Sequence, residues 1–311
     1  MNNKENFLEA ISFGKPDHVP CENEGILHQF SFEGIVKQAD WTDSWGIEWK
    51  VSIVGTVPFP VRYPLVDLER LEEYQFPDPD KLVLSDDDKY KLNSADHGEK
   101  LIIGQMSYLL FERAWALMGM ENFLMALITH PKECHMLLHS IAGYARKVFD
   151  RYMELGADAI SFSEDLGSQK ALMMSPQMFR EFFLPEYKYC FENVLKEKKI
   201  INFHSCGCVD AIAEDLASIG VTILNPVQAS ANDLKKIKKD TKGRMALKGG
   251  INTALIMTGT PEEVRNEVIR VMEILKPSGG YICAPDQHLP NMPEENMQML
   301  WRTAKEYGMY R

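Results

Sequence analysis

The sequence predicts an α/β protein that folds as a closed (β/α)8 TIM barrel, and three observations lead to this prediction. From residue 100 onward, short strand-like runs alternate with helix-like runs. The strand-like runs are apolar on both faces, which is typical of a parallel sheet covered by helices. The chain has 311 residues, a length that suits one large domain, and the number of strands then favours a barrel.

Seven runs are predicted to be barrel strands, and an eighth is expected within 46–57. In chain order the seven runs are 18–24, 101–107, 157–163, 200–205, 221–226, 244–250 and 280–285. The helices between them carry end signals, such as Gly156 after a helix and Pro176 at a first helical position. The stretch 39–90 fits this alternation poorly. We therefore expect a single domain, 1–311, in which 39–90 is an irregular excursion that covers one end of the barrel.

A doubly wound open sheet is the alternative fold, but no nucleotide-binding motif supports it. The sequence has no GxGxxG after its first strand and no GxxxxGK[ST] anywhere. A net charge of −11 argues against nucleic acid or an anionic membrane as the main partner. No apolar run reaches the roughly 20 residues that cross a bilayer, the first residues lack a signal segment, and the six cysteines are sparse. These features predict a cytoplasmic protein with free thiols.

The segment 204–207, with the sequence HSCG, is the strongest candidate for chemistry. It lies where a predicted strand ends, at the rim on which β/α barrels build their sites. Residues two apart on an extended chain point the same way, so His204 and Cys206 can converge on one cation such as zinc. Cys283, late in the last strand, is expected to supply a third ligand. Three protein ligands leave a fourth position open, which is typical of a catalytic zinc site.

Other polar residues near strand ends are weaker candidates. Glu164 follows the strand 157–163 and is the candidate for a fourth metal ligand or a general acid, whereas Asp165 could serve equally as a cap of the next segment. Cys21 is a reserve metal ligand, and Cys208 is expected to point away from the site. The candidates for substrate binding are Glu22, Asn23, Gln105, Asn225 and His288. For each of these five residues, a role in helix capping or in a solvated loop explains its presence about as well as substrate binding does.

Motifs along nearly the whole chain resemble the uroporphyrinogen decarboxylase superfamily, which includes the zinc-dependent corrinoid (cobamide) methyltransferases. The motifs are GKPDHVP (14–20), TDSWG (42–46), SED (163–165), MSP (174–176), PEYK (185–188), HSCG (204–207), KGGINT (248–253), GTPEEV (259–264), GGYICAP (279–285) and PEEN (293–296). The resemblance implies a (β/α)8 barrel with its site at the carboxyl end of the strands.

Two branches of this superfamily differ in their N-terminal segment and in their use of a metal. The decarboxylase branch acts without a metal on a tetrapyrrole with many carboxylates, and its N-terminal segment is rich in arginine. Here the matching stretch 21–29 reads CENEGILHQ, with acids and no arginine. The methyltransferase branch binds zinc through H-x-C…C, a pattern that His204, Cys206 and Cys283 match.

One departure concerns the last cysteine of this pattern. In coenzyme-M methyltransferases it tends to follow Pro-Gly, whereas here Cys283 precedes Ala284-Pro285, and Gln287 and His288 lie near the expected place. His288 is therefore an alternative to Cys283 as the third zinc ligand.

The resemblance implies methyl transfer between a small molecule and the cobalt of a partner corrinoid protein, with zinc as the cofactor. The small molecule is a methyl donor or a thiol acceptor, and a methyl ether such as a methoxylated aromatic is the preferred donor. A metal-free decarboxylase and a non-catalytic barrel that binds a corrinoid protein are the alternatives. The sequence leaves open which donor or acceptor is used, the direction of transfer, the fourth zinc ligand and the oligomeric state.

Overall fold

A computed structural model describes residues 1–32, 39–52 and 58–310. In chain order the helices and strands are α1 (Asn3–Ile11), β1 (Leu27–Phe30), β2 (Trp41–Thr42), β3 (Glu48–Lys50), β4 (Phe59–Arg62), α2 (Asp86–Ser94), β5 (Leu101–Met106), α3 (Phe111–Met118), α4 (Met120–Thr129), α5 (Pro131–Glu154), β6 (Ala159–Ser163), α6 (Pro176–Met178), α7 (Leu184–Lys196), β7 (Ile200–His204), α8 (Ala213–Ser218), β8 (Ile223–Asn225), α9 (Leu234–Thr241), β9 (Ala246–Ile251), α10 (Thr253–Thr258), α11 (Pro261–Leu275), β10 (Tyr281–Pro285) and α12 (Glu294–Gly308). Within these described ranges, no helix combines the length and apolarity needed to cross a membrane.

The main sheet is parallel and contains seven of the described strands, in the order β1-β5-β6-β7-β8-β9-β10. An isolated parallel bridge between Cys21 and Cys283 joins its last strand to the segment that precedes its first. The backbone N–H of Cys283 also donates to the carbonyl of Pro20 at 2.9 Å. The sheet therefore curls towards closure with helices outside it, and the predicted α/β barrel is confirmed.

Alternation along the strands decides which side chains face the barrel interior. One apolar cluster fills the interior near the amino ends of the strands. Its buried members come from five strands, from α1 and from the residue that precedes β1: Leu101, Ile103, Ala159, Ile223, Ala246, Ile282, Phe7, Ile11 and Ile26. The intervening residues, such as Ile160, Phe203 and Tyr281, pack into a separate cluster with the surrounding helices. This cluster, which we call the apolar plug and which includes side chains of α1, fills the amino end of the barrel. The carboxyl end is therefore the end at which a site can form.

The first barrel strand lies later in the chain than the predicted run 18–24. Glu22–Glu24 instead forms a 3₁₀ turn that ends at Gly25, whose φ is +63°. The Glu24 carboxylate accepts the backbone N–H of Cys21 at 3.2 Å and so stabilises the turn. The extended pairing with β5 therefore begins only at Leu27.

The excursion 39–90 contains a three-stranded antiparallel sheet, β2-β3-β4, and the first turn of α2. It packs at the carboxyl end of β5, where Trp49 stacks on Tyr108 with ring centroids 5.1 Å apart and Asp43 pairs with Arg113 at 3.2 Å. The prediction of an eighth barrel strand within 46–57 is wrong for the described residues of that range. Residues 48–50 form β3, which pairs antiparallel with β2 and β4 in this small sheet. Residues 53–57 of that prediction lie outside the described ranges.

Candidate functional site

His204 and Cys206 lie together at the carboxyl end of β7, and Asp165 approaches them from the loop after β6. His204 Nε2 is 3.5 Å from Cys206 Sγ and 3.6 Å from Asp165 Oδ1. One nitrogen, one sulfur and one oxygen thus lie within 4.8 Å of one another. Such a set of donors, partly open to solvent, is suited to a divalent transition metal such as zinc.

Backbone geometry holds this cluster in place. The Cys206 backbone N–H donates to Asp165 Oδ1 at 2.7 Å, which ties the two loops together. Gly207 then turns the chain with a φ of +81°. A Cβ atom on Gly207 would lie 2.2 Å from the carbonyl oxygen of Gly167, so only glycine fits here.

Two amide side chains contact the cluster from outside it. The Asn225 amide, at the end of β8, is 3.5 Å from His204 Nδ1, the ring nitrogen that faces away from Cys206. Gln287, in the loop after β10, donates through Nε2 to Cys206 Sγ at 3.2 Å. A histidine ligand commonly uses its second nitrogen to contact such an outer group, which fixes the ring orientation.

The surroundings favour the neutral forms of both Cys206 and His204. Burial raises the pKa of the Cys206 thiol to about 12, and the charge of Asp165 adds to this effect. Burial also lowers the pKa of His204, with a further lowering from Lys248 that opposes the effect of Asp165. The imidazole is therefore neutral and ready to bind a metal at pH 7, whereas the thiol must lose a proton first.

Glu164 points away from the cluster, into the helical layer. Its carboxylate accepts the backbone N–H groups of Leu110, Phe111 and Glu112, at 2.9, 2.6 and 3.1 Å, and the hydroxyl of Tyr187. These amides form the N-terminus of α3, which a carboxylate stabilises. The prediction that Glu164 is a metal ligand or general acid stays a prediction, and it would require the loss of these hydrogen bonds.

Cys283 is fully buried on β10 beside Cys21. Its neighbour Ile282 faces the barrel interior, whereas Cys283 and Tyr281 pack in the outer cluster. Cys283 is not part of the described group of ligand atoms around His204. Its predicted role as third ligand stays a prediction, and it would require the side chain of Cys283 to leave the outer cluster.

Lys248 of β9 contributes a cation to the mouth of the barrel. Its side chain is only 10% exposed, and its Nζ pairs with Glu22 Oε1 at 2.5 Å. The other oxygen of Glu22 accepts from His288 Nε2. Although burial alone would raise it, the pKa of Glu22 falls to about 2 because His288 and Lys248 favour the carboxylate. Glu22 and His288, which were both predicted to contact substrate, thus form an ion-paired group with Lys248.

A polar layer lines the interior between the cluster and the apolar plug. The register aligns Gln105 of β5 with Ser161 of β6 and Asn202 of β7. Asn202 donates to Ser161 Oγ at 2.9 Å, whereas its buried Oδ1 has no hydrogen-bond partner among the described residues. This acceptor is suited to an O–H or N–H group of a ligand. The remaining predicted contact, Asn23, is exposed in the turn before β1.

Sequence reasoning gave no role in binding to Asp165 or Lys248, although counting along the strands would have indicated both, whereas it placed Gln287 near the position expected for the last cysteine. Ser161 and Ser163 share a strand face with Asp165, and the apolar Ile160 and Phe162 share the other with Glu164. On β9, Lys248 lies two residues after Ala246 and therefore points to the same interior face of the strand. Gln287 carries no such signal, because it lies in an irregular loop.

Comparisons with known proteins agree with this architecture. Residues 50–307 match the family described as uroporphyrinogen decarboxylase (URO-D). Two curated uroporphyrinogen decarboxylases of Prochlorococcus marinus, strains NATL1A and NATL2A, are 24% and 22% identical to the chain over 181 residues. That stretch is 56% of this chain and 48% of each relative, so the match spans about half the length of these relatives.

Among solved structures, the chain is similar to a methyltransferase from Methanosarcina mazei. The superposition has a TM-score of 0.73 and covers 99% of both chains at 17% sequence identity. At this identity the likeness establishes the fold alone. Because the family match extends over most of the sequence, the chain belongs to the uroporphyrinogen decarboxylase (URO-D) family.

Proposed function

We propose that this protein is a zinc-dependent methyltransferase that moves a methyl group between a small molecule and the cobalt of a partner corrinoid protein. The observation that carries the proposal is the convergence of a nitrogen, a sulfur and an oxygen within 4.8 Å at the barrel mouth. A decarboxylase of the family needs no metal, so such a cluster has no role in that reaction. The full-length likeness to a methyltransferase supports the same choice.

His204, Cys206 and Asp165 are the ligands that we propose for the zinc ion. They supply borderline and hard donors of the kinds that zinc binds, and a fourth position is left for a substrate atom. Asp165 takes the place that the sequence assigned to Cys283, because Asp165 already lies 3.6 Å from His204. When bound, zinc supplies a Lewis acid that favours a thiolate acceptor or stabilises the leaving group of a methyl donor.

The other residues of the mouth bind and orient the substrate. Asn225 fixes the ring of His204, and Gln287 contacts Cys206, so both ligand side chains are held in one orientation. Asn202 offers a buried acceptor below the metal ligands. The excursion 39–90 packs beside the carboxyl end of β5 through the stacked rings of Trp49 and Tyr108. A methoxylated aromatic remains our preferred methyl donor.

The test is a spectroscopic methyl-transfer assay. Zinc-loaded protein is mixed with cob(I)alamin, used in place of the corrinoid protein, and with a panel of methyl donors that includes methoxylated aromatics and methyl thioethers. We expect cobalt(I) to be converted to methyl-cobalt(III), and His204→Ala and Cys206→Ser to abolish both zinc binding and conversion. A matched control is Cys208→Ser, because Cys208 contacts Asp210 and lies outside the cluster.

Two outcomes would favour the alternative functions. Decarboxylation of a carboxylated tetrapyrrole by zinc-free protein would support the decarboxylase for which the curated relatives are named. Binding of the corrinoid without conversion, unchanged in Cys206→Ser, would support a non-catalytic barrel. Methyl transfer that survives loss of zinc would contradict the assignment of the metal ligands.

A further inference from the structure

Lys248 places a positive charge inside the barrel mouth, in the same row of side chains as the metal ligands. The register pairs Ser163 with His204 and His204 with Asn225, and Lys248 follows on the next strand, β9. Holding an ammonium group at 10% exposure is unfavourable unless an anion is nearby.

The anion beside Lys248 is a carboxylate shared by two cations. Glu22 pairs with Lys248 through Oε1 and with His288 through Oε2. Lys248 and His288 thus share a single carboxylate as their acidic partner. In the described part of the chain, no other acidic group forms an ion pair with Lys248.

The arrangement has the properties of a carboxylate-binding site. An ammonium group has three donors, and Glu22 uses one of those on Lys248. The two cations come from different elements, β9 and the loop after β10, and lie at the mouth, where His288 is 56% exposed. A second carboxylate can therefore reach Lys248 from solvent, either beside Glu22 or in its place.

We propose that this site selects substrates bearing a single carboxylate, which binds Lys248 while the rest of the molecule extends towards His204 and Cys206. The choice of a methyl donor as that substrate rests on the proposed function. The carboxylate site itself does not, because binding requires neither zinc nor a corrinoid. A tetrapyrrole with many carboxylates would meet only two basic side chains here, which already share the carboxylate of Glu22, so a substrate with a single carboxylate fits the site better.

The first test is calorimetric titration of the purified chain with benzoate and with its neutral isostere benzamide. We expect benzoate to bind more tightly than benzamide, and Lys248→Met to weaken benzoate binding by at least about tenfold while leaving benzamide binding unchanged. Lys248→Arg should retain most of the affinity. The matched control is Lys235→Met, which removes one charge from the exposed face of α9.

Glu22→Gln provides the opposite change in the same site. Removing the competing carboxylate should tighten benzoate binding by at least about threefold, an effect that a poorly folded variant would not produce. Equal binding of benzoate and benzamide, or unchanged benzoate binding in both Lys248→Met and Glu22→Gln, would overturn the carboxylate site.

A second arm separates this inference from the proposed function. In the methyl-transfer assay, 4-methoxybenzoate is compared with 4-methoxybenzamide. A preference for the carboxylate that Lys248→Met abolishes supports the proposed substrate class, and equal use of both donors overturns it. If neither donor reacts but benzoate binding responds to both substitutions as expected, the carboxylate site stands and the methyl-transfer function fails.

Discussion

Replacement of Glu164 by glutamine distinguishes a helix-capping carboxylate from a metal ligand. Glu164 is fully buried and accepts three backbone N–H groups at the start of α3, together with the Tyr187 hydroxyl. Glutamine has one acceptor oxygen and an NH₂ group in place of the second. The Glu112 N–H, which donates to Oε2 at 3.1 Å, would then face another donor.

The expected cost follows from these contacts. One buried N–H without a partner costs roughly 1–3 kcal/mol, and loss of a negative charge at a helix N-terminus costs about 0.3–1 kcal/mol more. We therefore expect Glu164→Gln to lower the free energy of unfolding by roughly 2–3 kcal/mol. The measurement is made at pH 8, because burial raises the pKa of Glu164 to about 7 and the carboxylate must be ionised.

The assay combines urea denaturation, followed by circular dichroism, with zinc analysis of the folded protein. With unfolding measured on metal-free protein, Glu164→Gln should be less stable, whereas Asp165→Asn should keep its stability within about 0.5 kcal/mol. When zinc is added, Glu164→Gln should bind it and Asp165→Asn should not. The amide oxygen that Asp165→Asn retains can still accept the N–H of Cys206, so the loop is preserved. Normal stability of Glu164→Gln together with loss of zinc would refute this reasoning.

Three further predictions concern the cluster itself. Zinc affinity should rise about tenfold per pH unit between pH 7 and 9, because the Cys206 thiol has a pKa of about 12 and releases one proton on binding while His204 is already neutral; an affinity independent of pH in competition with a chelator would argue against Cys206. Asn225→Ala should weaken zinc binding by roughly tenfold or more without changing the zinc-to-protein ratio at saturation, since it removes the group beside His204 Nδ1. Gly207→Ala should lose zinc and stability because its Cβ would clash with Gly167. The control Gly143→Ala, whose Cβ would lie in open space on α5, should raise the free energy of unfolding by about 0.5–1 kcal/mol. Equal thermal stability of the two variants would contradict the close approach at Gly207.

The barrel could be predicted from sequence because its strands are short apolar runs separated by amphipathic helices. Six of the seven predicted barrel runs, from 101–107 to 280–285, overlap strands of the parallel sheet. The first strand was displaced because the run 18–24 mixes apolar residues with the acids of a 3₁₀ turn. The prediction of an eighth strand was wrong because Glu48–Lys50 pairs with neighbouring strands of the excursion. The pattern of apolar residues alone does not show whether a strand pairs in such a local antiparallel sheet or in the barrel.

The sequence predicted which residues lie near the carboxyl ends of the strands. The alternation of side chains between the two faces of a strand, which decides whether such a residue points into the barrel, was not applied to Glu164 and Asp165. Glu164 and Asp165 are neighbours in sequence, yet successive residues of an extended chain point to opposite faces. One of them caps α3 and the other lies beside His204. The same rule separates Cys283 from the interior residue Ile282. Contacts such as Gln287 with Cys206 depend on loop geometry that no local pattern specifies.

The most direct test of the central claim is X-ray absorption spectroscopy at the zinc edge of the metal-loaded protein, which counts sulfur ligands at about 2.3 Å. We predict a single sulfur, from Cys206, together with nitrogen and oxygen ligands, and the same spectrum from Cys283→Ser. Two sulfurs in the native protein, reduced to one by Cys283→Ser, would contradict a site built from His204, Cys206 and Asp165.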